Sequence, residues 1–126
     1  SKLLKQEQLL AMVPQGQAEA GCRELTLEEL AGHHLILSKR HRKYVLSIFE
    51  KHGLSSDVYY ECEDARTAMS LAASGLGTAI LPASMKDQSE KICPVPIREK
   101  ELTTDVLLVW RNEEHSDVVE SFIREF

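Results

Sequence analysis

The 126-residue sequence has few of the residues that mark several protein classes. Its three cysteines, Cys22, Cys62 and Cys93, are odd in number and have no close pair, which argues against a disulfide framework and for reduced thiols. Aromatic residues make up only 6% of the chain, and 15 Lys and Arg face 20 Asp and Glu. The resulting net charge of −5 argues against a freestanding nucleic-acid binder, which needs a basic surface.

The sequence also lacks a segment that would be expected to cross a membrane. Its longest stretch without charge, residues 67–85, contains Ser, Thr, Gly and Pro residues and is typical of a buried helix, turn and strand. No basic-then-apolar export signal opens the chain. Together with the unpaired cysteines, these features predict a cytoplasmic protein that does not associate with a membrane.

Motifs of metal, cofactor and hydrolase chemistry are missing as well. The histidines and cysteines do not have the spacing of metal ligands. Gly75-Leu76-Gly77 follows a predicted helix and has no third glycine, unlike a dinucleotide-binding turn. The Gly-x-Ser-x-Gly nucleophile elbow does not occur. We therefore expect no metal, no cofactor and no catalytic residue, and hence no enzyme.

The centre of the sequence alternates between strand and helix patterns. Thr26 and Glu29 form a capping box that opens a short helix, and Asp64 is a suitable N-cap for a later one. Gly53 and Gly75 are placed to end helices. This alternation predicts an α/β fold. Strands are predicted at residues 34–37, 58–62, 78–81 and 106–110, and helices at residues 42–52 and between Asp64 and Gly75.

The end of the sequence predicts one more helix, over residues 115–126. Val119, Phe122, Ile123 and Phe126 recur at helical spacing and would form one apolar stripe. Acidic residues near its start would interact favourably with the helix dipole.

One segment breaks a local rule. The basic run Lys39 to Lys43 (KRHRK) lies between a strand and the first turn of a helix. Unpaired amides already make that end of a helix positive, so each cation there costs about 0.3–1 kcal/mol. Such conflicts are typical of functional sites. An anion pocket would explain the run, with the Ser38 hydroxyl, amides and cationic side chains meeting a carboxylate or phosphate. The alternative is a solvated basic loop.

A second polar pair follows the next predicted strand. Glu63 and Asp64 lie at its carboxyl end, where ligands collect in α/β sheets, and could line the same crevice. Asp64 could equally be a simple N-cap, and the two roles are compatible. The candidate ligand-binding residues are therefore Ser38, Lys39, Arg40, Glu63, Asp64 and Ala65.

Five segments, taken in order, carry a family resemblance. They are LEELAG at residues 27–32, HLILS at 34–38, EDARTA at 63–68, ASGLGTAILP at 73–82 and LLVWR at 107–111. In this order and spacing they resemble the effector-binding domain of LysR-type transcriptional regulators. The Gly-Leu-Gly turn between a helix and a strand that ends in Leu-Pro is the most specific of these features.

The resemblance implies a fold like that of type II periplasmic binding proteins, in which two crossover strands join two α/β subdomains. Residues 7–14 and 104–111 would be the crossover strands, and residues 15–103 the second subdomain. Residues 115–126 would supply a helix of the first subdomain. Residues 1–126 would thus be a partial effector-binding domain, truncated on its N-terminal side.

The same resemblance implies a sensor that modulates DNA binding by a winged helix-turn-helix outside this chain. The effector would be a small anionic metabolite. The basic run favours a di- or tricarboxylate, because one helix end and two cations can meet two negative charges. The full-length protein would be a homodimer or homotetramer. Without most of the first subdomain, we expect the apolar surface around Phe122 and Phe126 to be exposed and the chain to associate weakly. The alternatives are a fragment of a solute-binding protein of a transport system, a two-lobed enzyme, and a redox sensor that uses Cys62 or Cys93.

Overall fold

The structure is a computed structural model and describes residues 2–21, 23–113 and 116–124. These residues form seven strands and three α-helices, which alternate from residue 27 to residue 82, and two short 3-10 turns at Ala18–Gly21 and Ala83–Met85. The strands are β1 (Lys2–Pro14), β2 (His34–Ser38), β3 (Asp57–Cys62), β4 (Thr78–Pro82), β5 (Ile92–Pro96), β6 (Thr103–Glu113) and β7 (Ser116–Arg124). The helices are α1 (Leu27–Ala31), α2 (Lys39–Lys51) and α3 (Ala65–Ala73).

The strands form one mixed sheet in the order β3-β2-β4-β1-β6-β7, and β5 also pairs with β1. β2 is parallel to β3 and to β4, whereas β1 is antiparallel to β4, β5 and β6. The parallel strands are joined through helices, as β2-α2-β3 and β3-α3-β4. The predicted α/β architecture is confirmed in this part of the chain.

Helices cover both faces of the parallel strands. Along β2, Leu35 and Leu37 pack with Phe49 of α2 in one buried cluster, while Ile36 packs with Met69 of α3 in another. Neighbouring side chains of a strand point to opposite faces, so one short apolar run contributes to both clusters. Except for the exposed His34, the run HLILS therefore lies in the middle of the layered core, where a strand has no solvated face.

The ends of the helices follow the signals read from the sequence. The N–H of Glu29 donates to Thr26 Oγ1 at 3.1 Å, and the Glu29 side chain accepts the N–H of Thr26, which completes the capping box. Gly53 and Gly75 have φ of +69° and +85°, in the left-handed region that favours glycine after a helix. These endings set the short links from α2 to β3 and from α3 to β4.

The helix predicted over residues 115–126 is wrong. Ser116–Arg124 instead form β7, which pairs antiparallel with β6; residues 115, 125 and 126, including Phe126, lie outside the described residues. The β-branched and aromatic residues that form the helical stripe also favour strands. A helix needs a packing surface for its stripe, whereas a strand gains backbone partners directly from β6.

The two predicted crossover segments lie within neighbouring strands. Residues 7–14 belong to β1 and residues 104–111 to β6, and the two strands pair antiparallel from Lys2↔Val109 to Gln8↔Thr103. β1 also joins β4 and β5 through residues 9–14, so it links the parallel strands to the β6–β7 hairpin. That these strands cross between two subdomains stays a prediction.

A glycine before β4 allows two strands to approach closely. A Cβ at Gly77 would lie 2.4 Å from the carbonyl oxygen of His34 at the start of β2. That oxygen belongs to strand backbone, which cannot move without disturbing the sheet. We expect Gly77→Ala to lower the free energy of unfolding by about 1–3 kcal/mol, measured by urea denaturation.

Gly21→Ala is the matched control for this substitution. A Cβ at Gly21 would have no heavy atom within 4 Å, and its φ is not in the left-handed region. Its free energy of unfolding should therefore stay within about 0.5 kcal/mol of that of the parent chain. Equal stability of the two variants would show that the close approach does not constrain the fold.

Candidate functional site

Two helices begin at one edge of the sheet. Ser38 and Cys62, the last residues of β2 and β3, are partners in the parallel register. α2 begins at Lys39, immediately after β2 and three residues before the predicted start at Arg42. α3 begins at Ala65, soon after β3. The carboxyl ends of β2 and β3 and the positive ends of two helix dipoles therefore lie together, which is where α/β proteins place ligands.

A cavity of about 200 Å³ lies at this edge. Five of the six candidate binding residues line it, so the structure brings together both predicted segments. Lys39 is not in the lining; its Nζ lies 3.9 Å from Glu63 Oε1 on exposed surface. That these residues bind a ligand stays a prediction. The lining consists of Ser38, Arg40, His41, Glu63, Asp64 and Ala65.

The basic run lies beside the acidic end of β3. Besides the contact between Lys39 and Glu63, Arg42 Nε lies 3.9 Å from Glu61 Oε2. Exposed ion pairs of this kind contribute about 1 kcal/mol or less, and salt screens them. The two interpretations of the basic run, an anion pocket and a solvated loop, each describe part of it. Lys39 and Arg42 lie on solvated surface, as in a basic loop, while Arg40 lines the cavity.

Asp64 is the N-cap of α3, as predicted. Its Oδ1 accepts the backbone N–H of Thr67 at 2.7 Å. This hydrogen bond lowers the pKa of the Asp64 carboxyl below its usual value, and the nearby Arg66 adds to the effect. Asp64 is therefore ionised at neutral pH. It contributes negative charge to one wall of the cavity while it stabilises the helix beside it.

Ser38 does not cap α2 with its side chain, although it occupies the N-cap position. Its Oγ lies 3.0 Å from Nδ1 of His41, which is only 1% exposed. The other ring nitrogen, Nε2, lies 3.4 Å from Oγ1 of Thr104 on β6. His41 was not among the candidate residues. Its position three residues after an N-cap serine could have indicated it, because residues at that spacing meet in a capping box.

His41 does not add positive charge to the basic run at neutral pH. Burial, together with the smaller effect of the neighbouring Arg40, lowers the pKa of its imidazole to about 4. At pH 7 the ring is therefore neutral, with one N–H donor and one acceptor nitrogen. The cavity thus contains the cation Arg40, the carboxylates Glu63 and Asp64, and a neutral imidazole.

Cys62 has the properties of a structural thiol. It is 6% exposed at the end of β3. Burial raises the pKa of its thiol, and the carboxylate of Asp64 raises it further. Redox-active cysteines need an accessible thiolate, so these surroundings disfavour redox sensing at Cys62.

The part of the chain that the structure describes contains neither a cluster of metal ligands nor a membrane-spanning helix. No group of three or more His, Cys, Asp or Glu side chains there could hold a metal ion. No helix among the same residues is long and apolar enough to cross a membrane.

The amino-acid sequence of the chain is also similar to that of a known protein family. The LysR substrate binding domain matches residues 1–126, the whole chain. The chain belongs to this LysR family. It is 32% identical over 120 residues to the HTH-type transcriptional regulator YybE of Bacillus subtilis strain 168, a match that covers 92% of the chain and 41% of YybE. The chain thus spans less than half the length of this relative.

Solved structures of LysR-type regulators share the fold. The effector-binding domain of BenM with its effector benzoate superposes with a TM-score of 0.73 at 24% identity, over 92% of this chain and 56% of that one. Full-length CbnR in complex with its target DNA gives 0.71 at 22% identity, over 81% of this chain and 38% of that one. The predicted family and the type II periplasmic-binding-protein-like fold are confirmed. Because the family consists of transcriptional regulators, the solute-binding alternative is not favoured.

The buried His41 should make the stability of the domain depend on pH. The unfolded chain takes up a proton near pH 6.5, whereas the folded chain takes it up only near pH 4, so acid favours unfolding. We expect the free energy of unfolding to fall by about 2 kcal/mol between about pH 6.5 and pH 5. Urea denaturation at each pH measures this slope.

His41→Gln keeps a hydrogen-bonding side chain but removes the titration, so the slope should largely disappear in this variant. The pKa of Asp64 is lowered, so the titration of this carboxyl in the folded chain lies below the measured window. An unchanged slope in His41→Gln would show that His41 is not the source of the pH dependence.

Proposed function

We propose that this LysR domain senses a small carboxylate in the cavity at the carboxyl ends of β2 and β3. Binding would modulate DNA recognition by a winged helix-turn-helix elsewhere in the full-length regulator. The observation that carries the proposal is the position of Arg40, which lines the cavity at the first turn of α2 next to the buried Ser38. A guanidinium beside a helix N-terminus is a site where a carboxylate gains charge-assisted hydrogen bonds.

The N-terminus of α2 supports this interpretation. The Ser38 side chain makes no capping hydrogen bond to the first turn, because its hydroxyl meets His41 instead. A carboxylate in the cavity could accept hydrogen bonds in place of that missing cap. The positive end of the helix dipole and the Arg40 guanidinium would then act on the same anion.

The charges around the cavity bear on how many carboxylate groups the effector carries. Arg40 can hold one carboxylate, and the lining also contains Glu63 and Asp64. Lys39, 3.9 Å from Glu63, offsets part of that negative charge and is the nearby cation available to a second carboxylate. We therefore propose a di- or tricarboxylate as the effector. BenM, whose effector is benzoate, supports a carboxylate more generally.

Sensing also requires that the ligand favour one conformation. An effector shifts an equilibrium only by the difference between its affinities for the two states. We propose that the full-length protein is a cytoplasmic homodimer or homotetramer without enzymatic activity. In it, residues 7–14 and 104–111 would be the crossover strands through which occupancy of the cavity changes the relative position of two subdomains.

Calorimetric titration with citrate, succinate and benzoate tests the proposal, on both the 126-residue chain and the full-length regulator. We expect Arg40→Ala to weaken binding of the best of these ligands by about tenfold or more, because it removes a charge-assisted hydrogen bond. Arg42→Ala is the matched control, since Arg42 lies on the same helix but pairs with Glu61 outside the cavity. Its affinity should stay within about twofold of the parent.

Two outcomes would contradict the proposal. One is the absence of binding at millimolar concentrations of all three ligands in both proteins. The other is equal loss of affinity in Arg40→Ala and Arg42→Ala, which would indicate a general effect of positive charge. Stronger binding of benzoate than of citrate and succinate would retain the carboxylate but exclude the di- or tricarboxylate.

A further inference from the structure

His41 connects the cavity to a distant strand through two buried hydrogen bonds. On one side, its Nδ1 lies 3.0 Å from Ser38 Oγ, which lines the cavity. On the other, its Nε2 lies 3.4 Å from Thr104 Oγ1 at the start of β6. Ser38 and His41 are each 1% exposed and Thr104 is 2% exposed, so bulk water does not compete for this contact.

The chemistry of a neutral imidazole allows two arrangements of these bonds. One ring nitrogen carries the proton and donates, and the other accepts, whereas each hydroxyl can do either. In the first arrangement, the Ser38 hydroxyl donates to Nδ1, and Nε2–H donates to Thr104 Oγ1. In the second, Nδ1–H donates to Ser38 Oγ, and the Thr104 hydroxyl donates to Nε2. Between the two arrangements, the donor and the acceptor of each hydrogen bond are exchanged.

An anion in the cavity would distinguish between them. A carboxylate oxygen only accepts hydrogen bonds, so Ser38 can bond to it only as the donor. In the first arrangement the Ser38 proton is already given to His41. In the second, Ser38 accepts from His41, and its own proton is available to the ligand. The second arrangement is therefore the one compatible with a hydrogen bond from Ser38 to the anion.

We propose that Ser38, His41 and Thr104 form a hydrogen-bond relay in which an anion in the cavity selects the Nδ1–H tautomer of His41 and reverses the bond to Thr104 on β6. One proton leaves Nε2 and one joins Nδ1, so the ring stays neutral; both are exchanged with water when the buried contact opens briefly. His41 acts here as a positioning residue. The ligand in this proposal comes from the proposed function, whereas the contacts of His41 with Ser38 and Thr104 are observed independently of it.

The reversal would reach β6, which pairs with β1, the strand that links the parallel strands to the β6–β7 hairpin. Thr104 pairs with Glu7 of β1 at the beginning of β6, which continues into the β6–β7 hairpin. With the cavity empty, Thr104 accepts from the ring and can give its own proton elsewhere. With the anion bound, it must give that proton to Nε2. Occupancy of the cavity would thus change the bonding of a β6 side chain that does not line the cavity.

The neutrality of His41 is essential for the relay. A protonated imidazole donates from both nitrogens, so the two arrangements would become one. Burial keeps the pKa of His41 at about 4, which preserves the neutral ring at physiological pH. The charged groups that line the same cavity are Arg40, Glu63 and Asp64.

The tautomer of His41 can be measured directly by long-range proton–nitrogen NMR on the chain labelled with ¹⁵N-histidine. Without ligand we expect the proton on Nε2, the form that neutral histidine favours. Thr104→Val removes the acceptor for that proton. Since a buried N–H without a partner is costly, the proton should move to Nδ1. Thr104→Ser keeps a hydroxyl at the same position and should retain the parent tautomer.

Addition of citrate, succinate or benzoate, whichever binds best, should move the proton of the parent protein from Nε2 to Nδ1. Thr104→Val should bind that ligand at least as tightly as the parent, because its ring already has the required tautomer. Ser38→Ala should bind it more weakly, because the donor to the anion is lost. If Ser38 and Thr104 had a merely structural role, both Ser38→Ala and Thr104→Val would weaken binding. The ligand would then leave the tautomer of His41 unchanged.

The following results support or overturn the proposed relay. An Nε2–H ring in ligand-free Thr104→Val overturns it, as does a bound ligand that leaves the parent tautomer unchanged. If Thr104→Val does not fold, Ser38→Ala replaces it: its ring should remain Nε2–H with and without the ligand, and any ligand-induced move to Nδ1 overturns the relay. If none of the three carboxylates binds, the proposed function fails, while the ligand-free tautomers of the Thr104 variants still decide the relay.

Discussion

The parallel pairing of β2 with β3 is the constraint on which the candidate site depends. It aligns Ser38 with Cys62, so that the strands end at one edge and the helices that follow them begin there. Because β2 is covered on both faces, its end cannot shift without disturbing both buried clusters. The sheet thus holds Arg40 and Glu63 at the same cavity with little freedom of the backbone. The position of these charges is a property of the strand register.

Burial then determines which members of the basic run act as charges at the cavity. His41 is enclosed by packing and loses its charge, whereas Lys39 and Arg42 extend toward acidic residues at the end of β3 and just after it. Arg40 is left to give the cavity positive charge from this run. The neutral ring of His41 contacts Ser38 and Thr104 through its two nitrogens.

Most of the elements could be predicted from local pattern, and the exception is instructive. The capping box at Thr26 and the glycine endings at Gly53 and Gly75 were confirmed, because they depend on residues within one or two turns. The segment Ser116–Arg124 was not, because its apolar residues suit a helix and a strand equally well. Pairing with β6 favours the strand over the helix. The residues of Ser116–Arg124 alone do not show that β6 lies beside them.

By itself, the sequence determined the family, the ends of the helices and the two segments that meet at the cavity. Each of these follows from residue order or from contacts within a few residues. Only the tertiary structure decided that Arg40 lines the cavity while Lys39 does not, and that His41 is neutral and reaches Thr104, 63 residues further along the chain. Burial and long-range contact decide these points, and both arise only when strands far apart in sequence are packed together.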